Sequence, residues 1–290
     1  MRSFLFADPH DISRAAMLAY LKLLLSLRSV RSLTGGLQRL PEALAAGLHV
    51  RLGHHAVEVA PHRRGDGAHP PYRVQVVSPE GTYTIGADAV VCATTATAAA
   101  RILTPLPDRT KDTLAGVRYA SAAVLNCTLD RRIASPSRWV LNMARQASAV
   151  AIMRIIPGGA QGRGDGLTLW SPGGTVGAEL CDLADDQVLG RMTQGAAAAG
   201  PGFELGRHVT AFRVDRWTEA LPQFPVGHLR RLHELHTQLP AGLALAGDYL
   251  AGQNLEAAIT SGIRAADRVT TQLAQRHTTP RSWNETRATP

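Results

Sequence analysis

A chain of 290 residues with 45% hydrophobic composition can bury a sizeable core and has room for one large or two interleaved domains. Its net charge of +8 is almost wholly arginine, since Lys22 and Lys111 are the only lysines, and with aromatics at 5% there are no basic runs interleaved with stacking residues, which excludes the usual nucleic-acid platforms. Cys92, Cys127 and Cys181 are odd in number and far apart, giving neither a disulfide framework nor a metal-ligand spacing, so a cytoplasmic location is expected.

The most apolar stretch, 15–30, is shorter than the roughly 20 residues of a membrane span and carries Lys22 and Arg28, so no transmembrane segment is expected. Asp8 and Asp11 precede it and no small-residue cleavage site follows, which argues against a secretory signal. Over 11–27, Ile12, Ala16, Ala19, Leu23 and Leu27 recur at helical spacing, with Ser13 or Asp11 as the N-cap; Leu18, Leu21, Leu24 and Leu25 widen that face and predict a largely buried helix. Gly35 and Gly36 then open a turn before a short helix whose first turn holds Pro41 and Glu42.

A strand-rich block follows, at 49–53, 56–60, 72–78, 82–86 and 87–94. Val74, Val76 and Ser78 alternate with Arg73, Gln75 and Val77 as in a half-buried strand, and Pro79-Glu80-Gly81 reads as a hairpin loop. The continuous apolar run 89–93 predicts a strand covered on both faces. Beyond it, strands are expected at 119–130, 139–143, 149–157 and 208–217, helices at 185–199 and 226–239, a loop at 158–166 and a frayed tail at 277–290.

The most informative segment is LALAGDYLAGQNLEAAITSGIRAADRV, residues 243–269. An apolar strand ends at Gly247-Asp248, a polar loop holds Gly252, Gln253 and Asn254, and a helix begins at Leu255. This order sets free backbone N–H groups and the positive end of a helix dipole beside a carboxylate, which suits an anionic or carbonyl-bearing cofactor. On the helix, Ala258, Gly262 and Ala266, flanked by Ala257, Ser261 and Ala265, leave a face with almost no bulk, against which something is expected to pack closely.

At these residues the chain resembles the C-terminal signature of flavin-containing amine oxidases, protoporphyrinogen oxidases and phytoene-desaturase-like enzymes. Trp217, Ala220-Leu221-Pro222 and Gly227-His228 match the segment that precedes this signature in protoporphyrinogen oxidases. The stretches 35–59 and 86–95 resemble the return of such chains to the flavin domain. The resemblance implies non-covalent FAD, with Asp248, after Gly247, on the ribityl chain and the backbone N–H groups around Asn254, Leu255 and Glu256 on the flavin pyrimidine edge. It also implies Ala258 among the small residues beneath the cofactor, Val57 meeting the adenine end through its backbone, and Trp217 in the preceding segment.

The implied fold is mixed α/β, an incomplete Rossmann-like FAD domain (49–96 and 215–273) interleaved with a substrate domain of mixed sheet and helices (1–48 and 97–214), followed by a flexible tail (274–290). Residues 243–246 and 89–93 are expected in one sheet. The implied activity is removal of a hydride from a small organic substrate by flavin. The alternative is a non-catalytic binding or interaction protein that lost its dinucleotide-binding half.

Two departures qualify the resemblance. Complete members open with a strand, a G-x-G-x-x-G turn and a helix that receive the FAD pyrophosphate. No such motif occurs here, so the chain alone is expected to bind flavin poorly, as a truncated product or as a half-enzyme whose partner chain supplies that segment. Secondly, Ala123 stands where many amine oxidases carry a lysine near flavin N5, which favours desaturase or porphyrinogen chemistry over amine oxidation. Among the remaining residues, His49, His54, His55, His62 and His69 have no fixed ligand spacing, and His228, His233 and His236 share a helix; both groups read as surface or structural, so no metal is expected. No nucleophile-elbow sequence supports a hydrolase.

Overall fold

The structure is a computed structural model that describes residues 6–7, 9–26, 33–62, 71–134, 139–141, 149–158, 164–197 and 204–278. Its contacts divide the chain into two units, Met1–Met17 with Val117–Leu229, and Leu18–Gly116 with Arg230–Pro290. Both mix strands and helices, as expected of an α/β protein.

The first unit is built on a five-stranded antiparallel sheet, in the order β6-β7-β8-β5-β9. Its strands are β5 (Tyr119–Leu129), β6 (Trp139–Leu141), β7 (Ile152–Ile156), β8 (Gly166–Trp170) and β9 (Val209–Pro222). One face carries Leu125, Leu169 and Met153, which are in register across three strands and buried under Leu180 of α5 (Thr175–Asp182) and Val188 and Met192 of α6 (Asp185–Ala197). Ala123 belongs to this core, so the position matched to the amine-oxidase lysine faces the helices. Its N–H donates to Ser171 Oγ at 3.0 Å.

Strand β8 went unread in the sequence, because the glycines before it suggested a loop through residue 166. Asp165 accounts for where the strand starts. Its buried carboxylate accepts the N–H of Ile133 at 2.8 Å and that of Gly158 at 3.1 Å, pinning both ends of the connection. Residues 159–163 of the expected loop lie outside the described residues.

The second unit contains an antiparallel meander, β1 (His55–Pro61), β2 (Tyr72–Ser78) and β3 (Gly81–Ala87), and a two-stranded parallel sheet of β4 (Val90–Cys92) and β10 (Leu243–Leu245). The β2–β3 hairpin turns at Pro79-Glu80, with Ser78 opposite Gly81, and Gly81 takes the positive φ of 129° that the turn needs. Residues 243–246 and 89–93 share one sheet, as expected, with Leu243, Ala244 and Leu245 opposite Val90, Val91 and Cys92. Tyr72 ties the meander to this pair by donating its hydroxyl hydrogen to the Ala241 carbonyl at 2.6 Å.

Helices α2 (Arg39–Ala45), α3 (Ala96–Ile102), α4 (Asp108–Ala115) and α8 (Leu255–Thr278) belong to this unit. Helix α1 (Arg14–Ser26) and helix α7 (His228–Thr237) run across the points where the chain passes between units. Ser13 is the N-cap of α1, its Oγ accepting the Ala16 N–H at 3.2 Å.

Three local expectations need correction. Residues 49–53 form no strand: 49–51 are irregular and Leu52-Gly53 is a turn, because Gly53 takes a positive φ of 72° and His54 bonds back to Leu52, ending any extended run before β1. Helix α1 is not buried. Ala16 alone is buried along it, and Leu18 and Leu25 are 58% and 80% exposed, because its apolar stripe meets no covering element among the described residues. Val91, expected inside a doubly covered strand, is 42% exposed, although Ala244 opposite it is buried against Ala265 of α8, so the cover on that face reaches β10 and leaves Val91 open. Of the expected tail, 274–278 belong to α8, and the rest lies outside the described residues.

Replacing Asp165 with Ala removes the acceptor of two amides at a buried position. It is expected to cost about 1–3 kcal/mol for each amide left unpaired, read as a lower urea midpoint, with Asp165→Asn intermediate.

Candidate functional site

Strand β10 is buried along its whole length, and the Ala246 N–H extends its ladder by donating to the Cys92 carbonyl at 2.9 Å. The chain leaves the strand at Gly247, where a Cβ would stand 2.5 Å from the Tyr249 ring, so only glycine fits. The Gly247 N–H donates to Ser261 Oγ at 2.9 Å, and that hydroxyl donates to the Ala258 carbonyl at 2.7 Å. Ser261 is buried, so this relay fixes the strand end against the second turn of α8.

Asp248 comes next, half-buried at the head of a 3-10 turn, Asp248–Leu250. Burial holds its carboxyl above the usual carboxylate range, while the amides of Tyr249 and of Asp248 itself pull it back. The Gly252 N–H returns to the Asp248 carbonyl at 2.8 Å and closes the loop. Asn254 then caps α8, its Oδ1 accepting the Ala257 N–H at 2.7 Å. The amides of Leu255 and Glu256 stand in the first turn, ahead of any intrahelical acceptor, at the positive end of a 24-residue helix.

Tyr20 completes the cluster, and nothing in the sequence pointed to it. Its hydroxyl accepts the Gln253 N–H at 2.7 Å across 233 positions of chain. Burial raises the Tyr20 pKa, the Gln253 bond lowers it, and the nearby Asp248 charge raises it further. No local pattern announces such a contact, since Tyr20 sits within an ordinary apolar helix.

The small-residue face of α8 proves to be two stripes. Ala257, Ser261 and Ala265 are buried, Ala265 against Ala244 and Ala246. The adjacent stripe is open: Ala258 is half-buried, Ala266 is exposed, and a Cβ at Gly262 would meet no heavy atom within 4 Å. The close approach expected at Gly262 is therefore not made among the described residues, because the packing on β10 is taken by the neighbouring stripe.

Of the residues singled out in the sequence, Gly247, Asp248, Asn254, Leu255, Glu256 and Ala258 fall in this one strand–turn–helix. Val57 lies in the same unit, on β1, where the register steps between Ala56 and Glu58 and leaves it as the extra residue of a bulge, 43% exposed. Trp217 belongs to the other unit, on β9, and is 58% exposed. His228 is buried with its ring against Phe224, and burial pushes the Cys127 thiol up to about 12, so neither offers reactive chemistry. The described residues hold no group of three His, Cys, Asp or Glu placed to hold a metal ion, and none of their helices is long and apolar enough to cross a membrane.

The sequence profile of the flavin containing amine oxidoreductase family matches residues 2–270. The coproporphyrinogen III oxidase of Mycobacterium tuberculosis is 31% identical over 185 residues, covering 63% of this chain and 40% of that protein. The coproporphyrinogen III oxidase of Mycobacterium leprae is 26% identical over 193 residues, covering 65% and 42%. Among solved structures, a putative protoporphyrinogen oxidase from Exiguobacterium shares the fold with a TM-score of 0.63 at 19% identity, covering 84% of this chain and 52% of that one. The chain thus spans about half the length of such proteins or less.

Two measurements probe the cluster. Tyr20→Phe removes the acceptor of the Gln253 N–H and is expected to cost about 1 kcal/mol in urea denaturation, with faster amide exchange at Gly252 and Gln253. Because the Asp248 pKa is raised in the folded state, its contribution to stability is present below the ordinary carboxylate range and is lost as pH rises through the raised value. Asp248→Asn is therefore expected to raise the thermal midpoint at pH 7 and to lose that advantage below about pH 4.

Proposed function

The chain belongs to the flavin containing amine oxidoreductase family, and we propose that it carries the flavin-ring half of an FAD-dependent oxidoreductase that oxidises a porphyrinogen-type substrate. The observation that carries this reading is Asp248, a desolvated carboxylate held at a strand end beside the capped N-terminus of α8.

The residues present suit an isoalloxazine and its ribityl chain. Gly262 and Ala258 leave an open strip of helix surface for a flat group, and Asp248 can accept a ribityl hydroxyl hydrogen. The amides of Leu255 and Glu256 can donate to a pyrimidine carbonyl, and the helix dipole favours negative charge there. FAD, when bound, supplies the hydride acceptor. The chain's own part is to orient the ring, exclude water and hold the ribityl chain.

Two observations support a porphyrinogen over an amine. The curated relatives are coproporphyrinogen III oxidases. Moreover, neither lysine of the chain, Lys22 or Lys111, lies on β5, where Ala122 and Ala123 stand instead.

No G-x-G-x-x-G occurs in the 290 residues, so the pyrophosphate is received by a strand–turn–helix segment outside them, carried by a partner chain or by a longer form of this one. That segment adds its strand beside β4 and β10.

The test is to produce the chain alone and joined to, or co-expressed with, such a segment, and to read flavin absorbance after gel filtration. Flavin is expected only with the segment present. Asp248→Ala in that assembly is expected to weaken retention tenfold or more, since a hydrogen bond to a charged group is worth about 1.5–3 kcal/mol. Gly262→Leu is expected to leave the chain's own stability unchanged or raised by about 0.5–1 kcal/mol, yet to abolish retention. A folded assembly that takes up no flavin under any of these conditions identifies a non-catalytic binding protein instead.

A further inference from the structure

The face of the five-stranded sheet turned away from α5 and α6 has an order that the flavin site does not explain. Cross-strand neighbours in an antiparallel sheet share a face, so the pairing registers lay it out as a grid. One rung runs Arg213 on β9, Asn126 on β5, Thr168 on β8 and Arg154 on β7, each directly opposite the next. A guanidinium stands at each end of this four-strand run, with Trp139 of β6 opposite Arg154. Three strand spacings separate the two arginines, about 14 Å.

The rung is wired together. Thr168 Oγ1 donates to Asn126 Oδ1 at 2.9 Å, and Asn126 Nδ2 donates to Asp215 Oδ2 at 3.1 Å. That oxygen also accepts Arg213 Nη2 at 2.9 Å and Nε at 3.2 Å. Arg213 is thereby held by one edge of its fork, although its side chain is 75% exposed.

Apolar groups flank the rung. On one side stand Val124, Trp170 and Ile152, with the exposed Trp217 two residues beyond Asp215 on β9. On the other, Gly166 and Ala211 border an open depression of about 390 Å³ that reaches Asn126, Thr168 and Arg213. A flat apolar wall crossed by a polar line with a cation at each end suits a flat ligand that carries carboxylates on opposite edges. A guanidinium edge matches a carboxylate's two oxygens, which favours that group over a point-like anion.

We propose that this rung is the substrate wall of the proposed oxidoreductase, and that Arg213 and Arg154 each hold a rim carboxylate of a tetrapyrrole whose ring lies along the apolar rows. Asp215, Asn126 and Thr168 act as positioning residues for Arg213. The inference rests on the porphyrinogen reading above, but it assigns residues and a binding face that the reading does not contain.

The test is binding of coproporphyrin III, a tetracarboxylic acid, against its tetramethyl ester, followed by the porphyrin's absorbance and fluorescence polarisation with the full chain. The acid is expected to bind at least tenfold more tightly than the ester. Arg213→Met and Arg154→Met are each expected to weaken acid binding about tenfold and to leave ester binding and the thermal midpoint unchanged. Arg213→Lys should recover part of the loss, and Asp215→Asn should reduce the acid preference by loosening the guanidinium. Equal binding of acid and ester, or a preference unmoved by both Met variants, overturns the wall and leaves the flavin-dependent reading standing. Binding of neither compound overturns the wall and the porphyrinogen substrate with it, while flavin retention by the joined segment still reports separately on the cofactor.

Discussion

Contact between α8 and β10 through alanine-sized side chains governs where the polar groups of the candidate cofactor site stand. Ala257, Ser261 and Ala265 are buried, and Ala265 packs on Ala244 and Ala246, with Val269 one turn further along beside them. Interiors this close-packed do not absorb an added methylene without shifting backbone. Two arginine bonds clamp the far end, where Arg268 donates to the carbonyls of Leu243 at 3.2 Å and Leu239 at 3.0 Å. The Gly247–Ser261 bond clamps the near end. Asp248 and the first turn of α8 therefore take their positions from a helix held at both ends of its contact with β10, not from the loop that joins them.

That rigidity matters because the site keeps groups that local stability would discard. An aspartate in ordinary surroundings is solvated; here burial outweighs the two amides that favour its charged form. The N-terminal amides of α8 supply positive potential nearby, and Tyr20, 233 positions away in sequence, fixes the loop by accepting the Gln253 N–H. A desolvated carboxylate beside the first-turn amides of Leu255 and Glu256 on a rigid frame is an arrangement that structure alone does not require. Its value appears when a polar ligand replaces the lost water.

Much of this was legible in the sequence, and the reasons differ by element. The strand–loop–helix at 243–269 announced itself because an apolar run, glycines and a small-residue helix occur in the one order that makes such a turn. The half-buried β2 and the hairpin at Pro79-Glu80-Gly81 followed from period-two alternation and a turn residue. What failed was judged from local apolarity alone. Leucine spacing in α1 and the apolar run around Val91 record which face is apolar, but burial depends on what lies opposite, and no window of sequence contains that. Strand β8 was hidden behind glycines because its start is set by Asp165 bonding to residues 32 and 7 positions away. Tyr20 and the Arg213–Arg154 rung were out of reach for the same reason, since strand register is a tertiary fact.

The corrections on α8 and β4 point the same way. Around α8, three stripes lie side by side: Ala257, Ser261 and Ala265, which are buried; Ala258, Gly262 and Ala266, which are small and open; and Leu255, Ile259 and Ile263, which are 51%, 41% and 58% exposed. Successive stripes are offset by one residue, about 100° around the helix axis, so together they make one broad apolar arc of which β10 covers only the first stripe. Val91 presents a further open apolar side on the two-stranded sheet. Two paired strands seldom suffice for an independent sheet, and parallel sheets are ordinarily covered on both faces. Single exposed apolar residues need no explanation, but an arc continuous with a packed stripe has the pattern of a surface made to be covered. The middle stripe, with no bulk at Gly262, leaves room for a flat ring, while the outer stripe of long aliphatic side chains suits packing against another protein layer. The proposed function would use the two stripes differently, the middle one for the cofactor and the outer one for the added strand–turn–helix.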